Sequence, residues 1–258
     1  MAPEIANPHE FQAELRFYEE LNDFLKPFQR KQPIPFRFDG KPSVKFAIEA
    51  LGVPHTEVDL ILVNGVSVAF DHRLVDGDRV SVYPVFESLD ITPLVRLRPE
   101  PLRRPAFVLD VHLGKLVRRL RLLGFDCLYR NDYADPEIVA LAAAENRIIL
   151  TRDRRLLHAK SVTHGYWVRS AHADTQVREV LDRFDLRCQI RPFTRCSRCN
   201  GMIAPVDKAA VLYLLEPKTR MYYEIFYRCR DCGQIYWEGS HLPNLLAWME
   251  SFRLADNP

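Results

Sequence analysis

Two stretches decide the fold of this chain: Phe107-Val108-Leu109-Asp110 and Ile148-Ile149-Leu150-Thr151-Arg152-Asp153. Each is a short apolar, β-prone run that ends in a carboxylate. Between them, Leu113, Leu116, Val117, Leu120 and Leu123 recur at helical spacing, and Gly124 supplies the stop. Asp126 to Tyr129 then reads as a strand, Asn131 to Pro136 as a loop, and the alanine-rich Glu137 to Glu145 as a second helix. Tyr166 to Val168 is a fourth strand. Strand and helix alternate, which predicts an α/β domain built on a sheet with parallel neighbours.

In such sheets ligands gather beyond the carboxyl ends of the strands. Asp110 and Asp153 each stand there, and Asp135 and Asp174 open the next helices and can point to the same rim. Like charges crowded together raise each other's pKa unless a cation intervenes. Hard oxygen donors select Mg²⁺ or Mn²⁺, which polarise phosphoryl oxygens and lower the pKa of bound water. Asp135 before Pro136, and Asp174 before Thr175, also fit helix N-caps. Asp110 and Asp153 show no comparable structural role in the sequence. Arg152, Arg154 and Arg155 follow the second strand and suit a phosphate backbone.

Outward from this segment, charge divides the chain. Residues 1–94 carry 9 basic and 15 acidic side chains, a net −6, whereas residues 106–195 carry 16 and 11, a net +5. The Pro/Arg stretch from 95 to 105 reads as a stiff basic linker. Expected domains are thus residues 1–94, the linker 95–105, an α/β domain over 106–194, and a C-terminal part over 195–258 that ends in a helix. A length of 258 residues with 47% apolar side chains excludes a mainly disordered or fibrous protein. No apolar run approaches the ~18 residues of a membrane span, and the N-terminus lacks a signal-peptide profile. The expectation is a cytoplasmic protein with no membrane partner.

Within residues 1–94, Glu14 to Tyr18, Pro35 to Phe38, Leu60 to Val63 and Arg79 to Val85 read as strands, and Val44 to Leu51 as a helix ended by Gly52. Asn64-Gly65 is a hairpin signal and Asp76-Gly77-Asp78 a turn. The order of these elements, with Val63-Asn64-Gly65, Leu74 to Val80 and Tyr83-Pro84-Val85, resembles the ubiquitin-like β-grasp domains of the ThiS and MoaD sulfur carriers. Those carriers act through a C-terminal Gly-Gly; here the segment runs into Phe86-Glu87-Ser88-Leu89. A domain kept for contacts or regulation is expected, engaging a protein partner or docking in cis on the cationic segment.

Cys196-x2-Cys199 and Cys229-x2-Cys232 are separated by 29 residues, the spacing of a zinc ribbon with two knuckles. Four thiolates fill a tetrahedral shell, so this Zn²⁺ is structural. A disulfide within each pair, or iron in place of zinc, are the alternatives. Ala209 to Leu215 and Met221 to Tyr227 read as the strands of an intervening hairpin. His241 is a surface group, a phosphate contact or a spare ligand. Tyr222, Tyr223, Phe226, Tyr227, Tyr236 and Trp237 either stack on bases or fill the small core. Cys127 and Cys188 read as apolar filler.

The motifs Phe107 to Asp110, Leu113-Gly114-Lys115-Leu116, Leu120 to Asp126 and Ile149 to Leu156, followed by the two cysteine pairs, resemble the PIN-like nuclease family named for the C-terminal part of the mutator-seven exonuclease. The resemblance runs from about Phe107 to Trp248. It implies a PIN-like three-layer nuclease domain, metal-dependent ribonuclease chemistry on RNA, and Asp110 and Asp153 as site carboxylates. Asp135 or Asp132 would be a further acid, with Asp135 preferred, and Asp174 would match a fourth only loosely. The competing reading is an RNA- or partner-binding module that does not cut.

Overall fold

The computed structural model describes residues 11–84 and 105–253. The expected linker, apart from Pro105, lies outside them, as does Val85. The chain divides into two compact units: Met1–Arg103 with Asp153–Tyr166, and Arg104–Arg152 with Trp167–Pro258.

The first unit contains a five-stranded sheet of β1 (Phe11–Phe17), β2 (Ile34–Phe38), β3 (Leu60–Val63), β4 (Val66–Ser67) and β5 (Arg79–Tyr83), in the order β2-β1-β5-β3-β4. The central β1–β5 pair is parallel, and β2 and β3 add antiparallel on either side. Helix α1 (Val44–Ala50) starts where the Ser43 side chain accepts from the Phe46 amide and ends before Gly52 at φ +95°. Asn64 and Gly65 both take positive φ in the β3–β4 hairpin, as a primed turn requires. Leu15, Phe17, Ile48, Ile61 and Val82 are buried between sheet and helix. This is a β-grasp-like domain. The 3-10 turn Arg154–His158 belongs to the same unit: the Arg154 guanidinium lies 5.3 Å from the Phe24 ring centroid, and His55 Nε2 meets the Val162 carbonyl at 2.8 Å while its Nδ1 meets Glu49 at 2.7 Å.

His158 sits beside this pair, and burial lowers its pKa, assisted by His55 and opposed by Glu49. A histidine whose folded pKa is depressed contributes stability above its ordinary pKa and loses it as pH falls. The thermal midpoint of the first unit is therefore expected to drop between about pH 7 and 5, and His158→Gln to flatten that slope, measured by melting curves at each pH.

The second unit is built on β6 (Ala106–Leu109), β7 (Asp126–Leu128) and β8 (Ile148–Thr151); β9 (Gly165–Trp167) is the fourth strand of their sheet, in the order β7-β6-β8-β9. β6 pairs in parallel with both β7 and β8, as the alternating pattern predicts. Helices α2 (Gly114–Leu122), α3 (Asp135–Glu145) and α4 (Ala173–Arg183) complete this layer. Leu116, Val117 and Leu120 of α2 are buried, as are Val177, Val180 and Leu181 of α4. Gly124 (φ +97°) ends α2 where an added Cβ would collide with the Arg191 carbonyl oxygen. Gly124→Ala is expected to destabilise this unit by about 2–3 kcal/mol, read as a fall in melting temperature.

The segment between the cysteine pairs departs from the expected hairpin. It forms α5 (Lys208–Val211) and α6 (Pro217–Tyr222), because Pro217 occupies the first turn where its missing N–H costs nothing. The strands adjoin the cysteines instead: β10 (Ile203–Val206), β11 (Phe226–Cys229) and β12 (Ile235–Trp237) make an antiparallel sheet. Val211, Leu215 and Phe226 form its small buried core. Helix α7 (Leu242–Glu250) is the last element among the described residues. Among the described residues, no helix is long and apolar enough to cross a membrane.

Candidate functional site

Asp110 leaves β6 at its carboxyl end and is 5% exposed. Its Oδ1 accepts from the His112 amide at 2.8 Å, and its Oδ2 accepts from the Arg152 amide at 2.8 Å and from the Thr151 hydroxyl. The carboxylate thus caps the 3-10 turn Val111–Leu113 and ties β6 to β8. Asp153 likewise caps the turn after β8, accepting from the Arg155 amide at 2.9 Å and pairing with its guanidinium at 3.2 Å. Both acids therefore have a structural role that the sequence did not reveal, and the two expected caps do not cap. Ala134 precedes α3, and Glu137 reaches back to its amide at 2.9 Å, leaving Asp135 exposed in the first turn. Asp174 lies inside α4, where Arg119 pairs with it at 2.9 Å and the Trp248 indole N–H donates to it at 2.7 Å. Asp132 pairs with Arg130 at 2.9 Å.

Beside Asp110 opens a cleft of about 840 Å³ within the second unit. Its neighbours Val111 and His112 line it, as do Lys115 and Arg118 of α2, Arg130 after β7, Arg152 after β8, and Arg198. Among the described residues no carboxylate lines it. Arg152 is exposed and donates to the Ser170 carbonyl at 2.9 Å. Of the three arginines expected to hold substrate, Arg152 alone lines this cleft; Arg154 packs on Phe24 and Arg155 pairs with Asp153. Six cations on a concave surface, the buried Arg121 among them, suit a polyanion, because each phosphate bound releases counterions.

The wall carrying Arg198 is held by buried groups. Arg121, 3% exposed, donates to the Cys127 carbonyl from Nε and Nη2 and to the Arg198 carbonyl from Nη1 at 2.9 Å. The Asn200 side chain accepts from the Cys127 amide at 2.9 Å and donates to Asp126 at 2.8 Å. Burial of Asp126 is outweighed by its bonds to Arg147 and Asn200, which hold its carboxyl below the usual range. These bonds dock Cys196-Ser197-Arg198-Cys199 on the free edge of β7. Burial keeps the Cys127 thiol high, so it is inert filler as expected.

The sulfurs of Cys196, Cys199, Cys229 and Cys232 lie within 4.8 Å of one another, the one such donor group among the described residues. All are free thiols. Cys196 and Cys232 are 3.6 Å apart, and Cys199 and Cys229 3.4 Å. Zinc–sulfur bonds of about 2.3 Å in a tetrahedron require roughly 3.8 Å, so the donor set fits Zn²⁺. The Gly201 amide and the Tyr236 hydroxyl donate to sulfurs at 3.4 and 3.0 Å. Burial raises Cys196, but the Tyr236 hydroxyl and the Cys199 and Arg198 amides bring it down to about 7; burial and neighbouring thiols push Cys199 up to about 12. A divalent cation removes that conflict. His241 is exposed and outside the group.

The model of the Mut7-C RNAse domain matches residues 105–249, more than half of the chain. This chain belongs to the Mut7-C RNAse domain family. A Mut7-C ubiquitin model matches residues 11–90, in agreement with the β-grasp-like sheet of this Mut7-C protein. No curated protein matches it. Among solved structures, small archaeal modifier protein 1 of Haloferax volcanii is 19% identical, covering 29% of the Mut7-C chain and 97% of its own, with a TM-score of 0.24. The Haloferax volcanii HVO 2177 protein is 22% identical, covering 34% and 94%, with a TM-score of 0.27.

Proposed function

We propose that this protein is a metal-dependent ribonuclease that hydrolyses RNA phosphodiester bonds at the carboxyl edge of the parallel sheet. One observation carries the reading: in a chain of the Mut7-C RNAse family, a cleft walled by six cations and, among the described residues, no carboxylate opens beside Asp110. The cations grip the phosphate backbone. Asp110 and Asp153 supply hard oxygens for Mg²⁺ or Mn²⁺, ions held by one or two carboxylates together with substrate phosphates and water. The bound ion would activate water and stabilise the leaving oxygen. Asp110 fits that ion as a carboxylate at a strand end, oriented by the His112 and Arg152 amides and the Thr151 hydroxyl; Asp153 fits as a carboxylate whose side chain is 34% exposed. Asp135, exposed in the first turn of α3, would be a further oxygen donor. Asp174 fits less well, since Arg119 and Trp248 already engage it.

The four cysteines hold a structural Zn²⁺ that fixes Arg198 against the cleft. The β-grasp-like domain serves as a contact or regulatory module through its packing on residues 153–166. A second reading, RNA binding without cleavage, is favoured by the partners that already occupy Asp153 and Asp174. Incubation of labelled RNA with the full chain and Mg²⁺ or Mn²⁺ decides between them: the first predicts product, the second a retained, intact RNA. Under either reading, RNA affinity falls as salt rises, with a slope near −0.7 per phosphate contacted on a single strand.

A further inference from the structure

Arg198 faces two cavities of the second unit. On one side is the cationic cleft; on the other is a smaller cavity of about 360 Å³, lined by Leu214, Leu215, Thr219, Ile235 and Trp237, with Glu216 as its carboxylate. The two differ in chemistry. The first suits phosphates. The second presents an apolar floor, buried Leu215, and an indole that is 41% exposed.

Of the other aromatics of the sheet, Phe226 is 2% exposed, the Tyr236 hydroxyl bonds to Cys196, and Tyr227 is half-buried and lines neither cavity. Trp237 is held in place, with Tyr223 packed at a centroid distance of 6.4 Å and Gly239 so close that an added Cβ would lie 3.1 Å from the indole nitrogen. A fixed, exposed indole lining the same cavity as a cation is the pairing that stacks a base and holds the adjoining phosphate. The backbone of Arg198 is pinned on both sides, by the cysteines that flank it and by the buried Arg121 guanidinium. Arg230 lies in the second knuckle, one place earlier in its pair than Arg198 in the first, is exposed, and lines neither cavity.

We infer that RNA in the cationic cleft continues across Arg198 and stacks an unpaired base on Trp237, so that the substrate is single-stranded where it leaves the cleft. A base in a duplex cannot offer its face in this way. The inference rests on the ribonuclease reading, and concerns where its substrate lies.

The test measures binding of zinc-loaded full-length protein to labelled RNA without Mg²⁺ or Mn²⁺, using a single strand of about 12 nucleotides, one of about 4, and a blunt duplex. Arg198→Ala is expected to weaken the longer strand about tenfold and to reduce the magnitude of the salt slope by roughly one contact. Trp237→Ala should weaken the longer strand by about fivefold or more while sparing the duplex, and Trp237→Phe should restore most of the loss. Wild-type indole fluorescence should fall on binding, and less so in Trp237→Ala. Arg230→Ala should behave as wild type. Zinc content and melting temperature confirm that each variant is folded. If RNA is bound and cut but Arg198→Ala and Trp237→Ala match wild type, or if the duplex binds as tightly as the single strand, the inference is wrong and the ribonuclease reading stands. If no RNA binds to any variant or to wild type, both fail.

Discussion

Asp110→Asn is expected to lower the rate of RNA cleavage at least about a hundredfold while RNA affinity changes by less than about threefold. The affinity is spared because the phosphate-gripping cations are on other residues. The rate is lost because an amide is a poorer ligand for a hard cation than a carboxylate. Asp110 also accepts hydrogen bonds from the His112 and Arg152 amides and the Thr151 hydroxyl. Turning one carboxylate oxygen into a donor among donors costs about 1–3 kcal/mol, so a modest drop in melting temperature accompanies the loss. Asp153→Asn separates the two effects: its side chain is 34% exposed, and the rate should fall with little change in stability. Equal cleavage by wild type and both variants would remove the catalytic role of these acids.

The second large effect concerns the cysteines. Removing the bound metal with a chelator, or replacing Cys199 by serine, is expected to unfold the three-stranded sheet of β10–β12. Structural zinc contributes on the order of 10–16 kcal/mol in small domains, and the buried core here, Val211, Leu215 and Phe226, is too small to replace it. Loss of the sheet frees Ser197 and Arg198 from the cleft wall, so RNA affinity should fall with zinc content. Circular dichroism and metal analysis on the same sample report both. A metal-free protein that keeps its spectrum and its RNA affinity would show that these thiols do not organise the cleft.

Much of this architecture was legible in the sequence, for reasons that are local. The i, i+3, i+4 recurrence from Leu113 to Leu123 predicts α2, and Gly124 its end, because both depend on neighbours along the chain. The hairpin at Asn64-Gly65 follows from two residues that tolerate positive φ, and the four cysteines from their spacing. Helix capping is less legible. Asp135 and Asp174 have the sequence surroundings of caps, yet Ala134 and His172 precede the helices, while Asp110 and Asp153 cap 3-10 turns that have no periodic signature. The excursion from Lys208 to Tyr222 carries β-prone residues, but Pro217 and the strands pinned at the cysteines favour helix there. Arg198 was hidden for a different reason: its position depends on bonds from Arg121 and Asn200 to partners distant in sequence. An arginine between two metal-ligating cysteines was the one available clue.

This cleft is expected to cut the RNA it holds. Single-turnover cleavage of a single-stranded RNA by the zinc-loaded full chain, with Mg²⁺ or Mn²⁺ titrated from zero, tests it most directly. Product that is absent without the ion, rises with it and saturates is the predicted result. RNA that binds fully yet stays intact at every ion concentration would contradict the account and leave a binding protein in its place.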